Sequence, residues 1–233
     1  MSNSKVFDIL KEKGFIFGGY DIPQNLTDIE RDSRVEFCEL MLDDENRIYE
    51  TFFSDESGFK LSDAHVERIW NKENKEMELE LPREHVRVNM WGAIGFRGAT
   101  SLHIFKENIK GPIYQNILAE HREEMDTLYH GGFYFIHDRL PSHTSCEGWM
   151  MEEEFGQVLF PTYSPDLNPM ENMWAALKQS VARDAPCTEE RLVQSLLRNW
   201  KILTTPQNLK PYFENLFLRY LECVRFEGYR LKV

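Results

Sequence analysis

The chain has 233 residues, 42% of them hydrophobic and 13% aromatic, which suits a packed core and excludes a disordered segment. A formal net charge of −12 speaks against a stand-alone DNA-binding protein, because a polyanion is normally held by clustered Lys and Arg. No apolar run nears the roughly 20 residues that span a bilayer, and Met1–Lys5 does not open a secretory leader, so a soluble intracellular protein without membrane contact is expected.

Residues 1–26 are mixed: Val6, Ile9 and Leu10 suggest a short helix, which Gly14 and Gly18-Gly19 break. Thr27-Asp28-Ile29-Glu30 has the form of a capping box and predicts a helix that carries Phe37, Leu40 and Met41 inward and ends near Asp43-Asp44. Strands are expected at Ile48 to Phe53, Val86 to Phe96 and Ser101 to Phe105, with a hairpin turn at Gly95–Gly98. The glutamate-rich residues 63–85 read as a surface excursion.

Pro112 opens an amphipathic helix with Tyr114, Ile117, Leu118, Met125 and Leu128 on one face. Phe133 to Ile136 is a short, wholly apolar run of the kind a buried central strand needs, and it leads into Asp138. A helix over 142–155, a strand over Val158 to Phe160, and helices near 169–183, 188–202 and 206–227 complete the chain. Three meandering strands followed by helix–strand alternation predict an α/β fold: a mixed five-stranded sheet flanked by helices, in the order of an RNase H-like fold. The four cysteines, Cys38, Cys146, Cys187 and Cys223, form no CxxC; packed, reduced thiols are expected rather than a zinc site or a disulfide framework.

Three carboxylates stand where chemistry could gather them. Asp55 ends the first strand, Asp138 ends the buried strand, and Glu171 begins a helix after Ser164-Pro165-Asp166-Leu167-Asn168-Pro169-Met170. Convergent carboxylates are the hard oxygen donors that Mg²⁺ prefers, and two such ions can clamp the attacking and leaving oxygens of a phosphodiester displacement. Each acid has a plainer reading. A strand-end aspartate often only starts a turn, and Glu171 could be the reciprocal acid of a cap formed with Asn168 and Pro169. Met170, Trp174, Leu177 and Val181 form an apolar stripe at helical spacing and read as core.

Four strings occur in order: Phe53-Ser54-Asp55-Glu56-Ser57-Gly58-Phe59, Met90-Trp91-Gly92-Ala93-Ile94, Asp138 with Pro141-Ser142-His143-Thr144-Ser145, and Tyr163-Ser164-Pro165-Asp166-Leu167-Asn168-Pro169-Met170-Glu171-Asn172-Met173-Trp174. Together they resemble the catalytic domain of mariner-superfamily transposases, the DDE class, over about residues 27–228. Weaker echoes lie at Leu192 with Trp200 and at Arg219 with Gly228.

The resemblance implies an RNase H-like domain over 27–233. It implies Asp55, Asp138 and Glu171 as catalytic residues and ligands of two Mg²⁺ ions, with Mn²⁺ as a substitute. The implied reactions are cleavage at transposon ends and transfer of the freed 3′-hydroxyl into target DNA, by a dimer or larger assembly on paired ends. A nuclear location follows from that substrate. Asp166 belongs to the matching string but is not the family's metal ligand.

The chain also departs from the family. Arg139-Leu140 stand where relatives have Asn-Ala, so Arg139 is expected either to pair with Asp138 or to contact a DNA phosphate. The interval from Asp138 to Glu171 is slightly shorter than the family's commonest. Lys178-Gln179-Ser180 lies where relatives carry a basic cluster, leaving Lys178 as a DNA-contact candidate. His143 matches the family string, and a supporting role beside the acids is expected for it. Residues 1–26 are expected to be a remnant or linker after a helix-turn-helix region that this sequence lacks. Two other readings stay open: a domesticated, catalytically silent descendant acting as an interaction or dimerisation module, and a nuclease that cuts without joining.

Overall fold

The computed structural model describes residues 26–44, 46–61 and 86–231. The expected N-terminal remnant, apart from Leu26, and the glutamate-rich excursion lie outside the described residues. Helix α1, Asp28–Asp43, starts where its sequence says it should. The Glu30 amide donates to Thr27 Oγ1 at 3.3 Å and the Thr27 amide to Glu30 Oε2 at 2.7 Å, so both halves of the capping box are made.

A 3₁₀ turn, Ile48–Glu50, leads into β1, Thr51–Lys60. Strand β2, Arg87–Gly95, pairs antiparallel with β1 from Phe53↔Ile94 to Lys60↔Arg87. The first strand therefore begins later than expected and runs well past Asp55, because β2 supplies a partner along its whole second half. The third sheet position is split into β3, Gly98–Ala99, and β4, His103–Phe105, both paired with β2. Helix α2, Gly111–Leu128, follows, and then β5, Tyr134–Ile136, pairs parallel with β1.

The helix expected over 142–155 is instead two short ones, α3, Pro141–Thr144, and α4, Glu147–Glu152. Strand β6, Gly156–Gln157, comes two residues before its expected place, since Val158 only donates its amide to Phe135 O at 3.0 Å as the chain leaves the sheet. The last three helices match their forecast: α5, Pro169–Asp184, α6, Glu189–Leu203, and α7, Pro206–Arg225. Six strand segments thus fill five positions, with β3 and β4 sharing the edge beyond β2, then β1, β5 and β6. None of the described helices is long and apolar enough to cross a membrane.

Alternation along the strands builds two cores, one on each face of the sheet. Phe53, Met90, Ile94 and Ile136 face α1, α5, α6 and α7. Phe52, Trp91, Ala93 and Phe135 face α2 and α4. Cys38, Cys146 and Cys223 are buried free thiols as expected, whereas Cys187, in the loop between α5 and α6, is exposed.

The first core is closed by a buried ion pair. Arg34 of α1 is fully buried and grips Asp166 with two parallel bonds, Nη1 to Oδ1 at 2.8 Å and Nη2 to Oδ2 at 2.5 Å. Arg34 Nε also donates to Gly228 O at 2.8 Å, and Asp166 Oδ2 accepts the Leu231 amide at 3.0 Å. Gly228 has φ +75°, and a Cβ there would stand 2.2 Å from Arg31 O, so only glycine lets the C-terminal tail approach α1 this closely. Replacing Asp166 by Leu leaves the guanidinium buried without its carboxylate. Urea unfolding should show a loss of about 3–5 kcal/mol, with the Arg34→Met, Asp166→Leu double variant losing much less; a single-variant loss under about 1 kcal/mol would show that the pair does not hold this region.

Candidate active site

The parallel register of β1 and β5 pairs Phe53 with Ile136. Two residues further along each chain stand Asp55, still within β1 and on the side that faces α5, and Asp138, just beyond the end of β5. Glu171 lies in the first turn of α5. Trp174, one turn later on that helix, donates its indole N–H to Asp55 Oδ2 at 3.0 Å. The charge of Glu171 is felt at Asp55 and raises its pKa. Glu171 and Asp55 are thus coupled across the β1–α5 contact, while the groups that act on Asp138 are His143, Leu140 and His137.

The plainer reading of Glu171 does not hold among the described residues. Asn168 caps α5 by accepting the Met170 amide at 3.0 Å, without a reciprocal bond from Glu171, whose side chain is exposed. Trp174, read from its spacing as core, is buried but also touches the site. Its ring stacks on Trp200 at 5.3 Å, and a Cβ on Gly92 would sit 2.8 Å from that Trp200 ring. Gly92 is the β2 partner of Asp55. A glycine opposite the acid thus makes room for the indole pair that orients it.

Asp138 is held differently. Arg139 is exposed and makes no ion pair with it among the described residues; the partner is His143. His143 Nδ1 lies 2.6 Å from Asp138 Oδ1, and Nε2 lies 3.2 Å from Glu56 Oε1. The Leu140 amide donates to the same Asp138 oxygen at 3.1 Å. Of the three supporting candidates, His143 is the one in direct contact. Lys178 is half-buried on α5, two turns beyond Glu171 on the same face, and Arg139 borders a cleft with Asp138, Glu147 and Gln157.

Electrostatics separate the two aspartates. Burial, with the charges of Glu56 and Glu171, pushes Asp55 up to about 7 against the opposing bonds from the Glu56 amide and Trp174. Burial also acts on Asp138, but the bonds and charge of His143 outweigh it and hold that carboxyl below its usual value. Burial opposes charge on His143 as well, yet Asp138 and Glu56 together push it up to about 10, so it is an imidazolium at neutral pH. His137, buried and stacked on His143 at 5.1 Å, is pushed down to about 4 by burial and by that cation, against Asp138. A neutral His137 fits its contact with Tyr114, whose hydroxyl lies 3.0 Å from Nδ1.

The sequence profile of the DDE superfamily endonucleases matches residues 50–192, from the turn before β1 into the first turn of α6. The chain belongs to the DDE superfamily endonucleases. This endonuclease domain is similar to the Tc3 transposase of Caenorhabditis elegans, 26% identical over 184 residues, which are 76% of this chain and 56% of the relative. It is also similar to the Tc1 transposase of the same organism, 30% identical over 74 residues, covering 31% of this chain and 27% of that one. The chain therefore spans about half the length of the Tc3 protein. Its fold is that of the Mos1 mariner transposase catalytic domain, at TM-score 0.71 and 18% identity, covering 91% of this chain and 100% of the other. The Mos1 transposase in its paired-end complex with the left transposon end gives TM-score 0.76 at 20% identity, covering 100% of this chain and 72% of that one. The expected RNase H-like architecture stands.

Sequence reading missed two contacts. Glu56 lies inside a quoted string but was shadowed by its neighbour Asp55, and the hydrogen bond of Trp174 was hidden by its apolar spacing. The raised value of Asp55 has a consequence for stability. A carboxyl of about 7 in the fold and about 3.9 in the unfolded chain takes up a proton on folding, so its favourable contribution is complete below about pH 4 and lost as pH rises through about 7. Asp55→Asn should flatten the stability profile across that window and, without divalent metal, stabilise the protein at pH 8 by about 1–3 kcal/mol. Thermal melts against pH decide it: unchanged slopes would mean that Asp55 is not strained by its neighbours.

Proposed function

We propose that this domain is the catalytic core of a DNA transposase, with Asp55, Asp138 and Glu171 as its catalytic residues and ligands of two Mg²⁺ ions. The observation that supports the reading is the Phe53↔Ile136 register, which runs the chain from paired neighbours into Asp55 and Asp138, beside a helix whose first turn carries Glu171. The donor set fits the metal: three carboxylates are hard oxygen ligands, and the strained charge on Asp55 is what a divalent cation relieves. When bound, such ions neutralise phosphate charge and lower the pKa of a coordinated water or hydroxyl.

The residues of the chain have separate tasks. His143 keeps Asp138 ionised and fixes its carboxylate, with Glu56 holding the far nitrogen of the ring. Trp174, packed on Trp200, fixes Asp55. Arg139 and Lys178 flank the acids as contacts for DNA phosphates, which leaves Asp138 free of a competing guanidinium. In the proposed first reaction water attacks a phosphodiester at a transposon end: a new P–O bond forms, the P–O3′ bond breaks, and a 3′-hydroxyl is released. In the second, that hydroxyl attacks a phosphodiester of target DNA, joining the strands and releasing a target 3′-hydroxyl.

The Tc3, Tc1 and Mos1 relatives are transposases, and the Mos1 complexes contain a transposon end or paired ends. Those likenesses support DNA ends as the substrate, an assembly of two or more copies on them, and the nucleus as the place of action. Mos1 structures with Mn and with Mg support the choice of metal.

The test is Mn²⁺-dependent nicking of supercoiled plasmid, followed by joining of an oligonucleotide with a free 3′-hydroxyl to that plasmid. The native chain should do both, and Asp55→Asn, Asp138→Asn or Glu171→Gln should each reduce nicking by at least about 10²-fold. Nicking that survives Glu171→Gln would remove Glu171 from the site. Nicking without joining would make the chain a nuclease, and no nicking with intact Mn²⁺ binding would favour the silent descendant.

A further inference from the structure

On the opposite face of the sheet from Glu171, β4 and α2 bring together two imidazoles and a carboxylate. His103 Nδ1 lies 3.3 Å from His121 Nε2 and 3.5 Å from Glu120 Oε2. The three ligand atoms all fall within 4.8 Å of one another. A tetrahedral zinc ion with bonds of about 2.0–2.1 Å has ligand atoms roughly 3.3–3.4 Å apart, so the two close edges already have the spacing of a zinc site.

The surroundings of His121 point the same way. Its Nδ1 lies 3.1 Å from Glu124 Oε2 and 3.3 Å from Ser101 Oγ, and Glu124 is itself fixed by the Ser101 amide at 2.7 Å and hydroxyl at 2.7 Å. A carboxylate at Nδ1 keeps the proton there and turns the Nε2 lone pair towards His103. That is the arrangement by which a carboxylate orients and strengthens a metal-binding imidazole. His121 is 6% exposed and its ring packs on Trp91 at 5.1 Å between ring centres, so it is held rather than free to turn away.

We propose that His103, Glu120 and His121 form a cation site separate from the acids of β1, β5 and α5, selective for zinc or a similar borderline transition ion. Two nitrogen donors favour such an ion over magnesium, and three protein ligands leave a fourth position for water. Its role is mechanical. Strand β4 is only three residues long and, among the described residues, pairs with β2 alone, and the ion fastens it to α2.

The experiment is zinc titration of the full chain, read by competition with a chromophoric chelator and repeated with cobalt for the visible spectrum of a tetrahedral ion. It is done in an Asp55→Asn, Glu171→Gln background, so that the other acids do not report. One zinc per chain should bind with an affinity of about micromolar or tighter, raising Tm by several degrees. His103→Asn and Glu120→Gln should each weaken binding at least about tenfold, and Glu124→Gln by roughly the same factor through His121. Glu120 has a side chain that is 64% exposed, so its substitution reads the site even where the histidine variant fails to fold. Zinc binding that both substitutions leave unchanged, or no binding at about 100 μM, would overturn the site and leave a hydrogen-bonded histidine pair.

Discussion

The buried Arg34–Asp166 pair is the constraint from which the geometry of the acids follows. Asp166 lies in the 3₁₀ turn Pro165–Leu167, immediately before the cap of α5, so whatever fixes that turn also fixes the height and heading of the helix that carries Glu171 and Trp174. Arg34 holds the turn from α1 through the Asp166 side chain. From α7, Arg219 holds it through Asp166 O at 3.2 Å and Tyr220 through Leu167 O at 3.2 Å, while Arg219 Nη2 reaches Asn172 Oδ1 at 2.7 Å, inside α5 itself. Elements from both ends of the described chain thus meet on one turn. A charge pair so placed is a costly way to gain stability, since desolvation offsets most of its Coulomb energy. Its return is position: a forked guanidinium on a carboxylate allows one register between α1 and the turn, where apolar packing alone would tolerate a slide.

The same economy governs the acids. Asp138 lies beyond the end of its strand, where the backbone is no longer constrained by the sheet. It is tied down by the Leu140 amide and by His143, both within five residues of it. Asp55 lies within a paired strand; besides the Glu56 amide, which donates to its Oδ1 at 2.8 Å, it is oriented by a side chain from α5, 119 residues away in sequence. One acid is therefore positioned by bonds local in sequence, and the other by a local bond together with tertiary packing. Loss of the α5 docking would affect Asp55 and Glu171 together and leave Asp138 in place.

Much of this was legible in the sequence, and the parts that were not share a cause. The capping box of α1, the apolar run before Asp138 and the periodic stripes of α5 to α7 are local patterns, and local patterns fix elements. The true extent of β1 depended on β2 as a partner, and the breaking of 142–155 into two helices depended on how residues 141–152 turn beneath α2; neither is written in the segment itself. Trp174 is the clearest instance. Its spacing assigns it to the core correctly, yet an indole buried on one face still has an N–H to satisfy, and only the fold shows that the acceptor is Asp55. Arg139 is a case of the other kind: the sequence left open a pair with Asp138 or a contact with a DNA phosphate, and among the described residues the exposed guanidinium makes no pair with the acid. Asp166, which shares a string with Glu171, has both oxygens engaged by Arg34 and one of them also by the Leu231 amide.

The two aspartates also divide the protonation of the site between them. The imidazolium of His143, pushed up to about 10, belongs to the protein and is present at neutral pH, where it holds Asp138 below the usual carboxylate value without a metal. Asp55 has no such resident cation. It is surrounded by the carboxylates of Glu56 and Glu171 and by burial, and it retains affinity for a proton up to near neutrality. On the proposed reading, a divalent ion at the acids would displace a proton from Asp55 but not from Asp138, so that metal affinity would depend on pH mainly through one residue. The acidic surplus of the chain fits this arrangement. Carboxylates that crowd Asp55 raise the cost of leaving the site empty, a cost that a bound cation of the kind proposed would relieve.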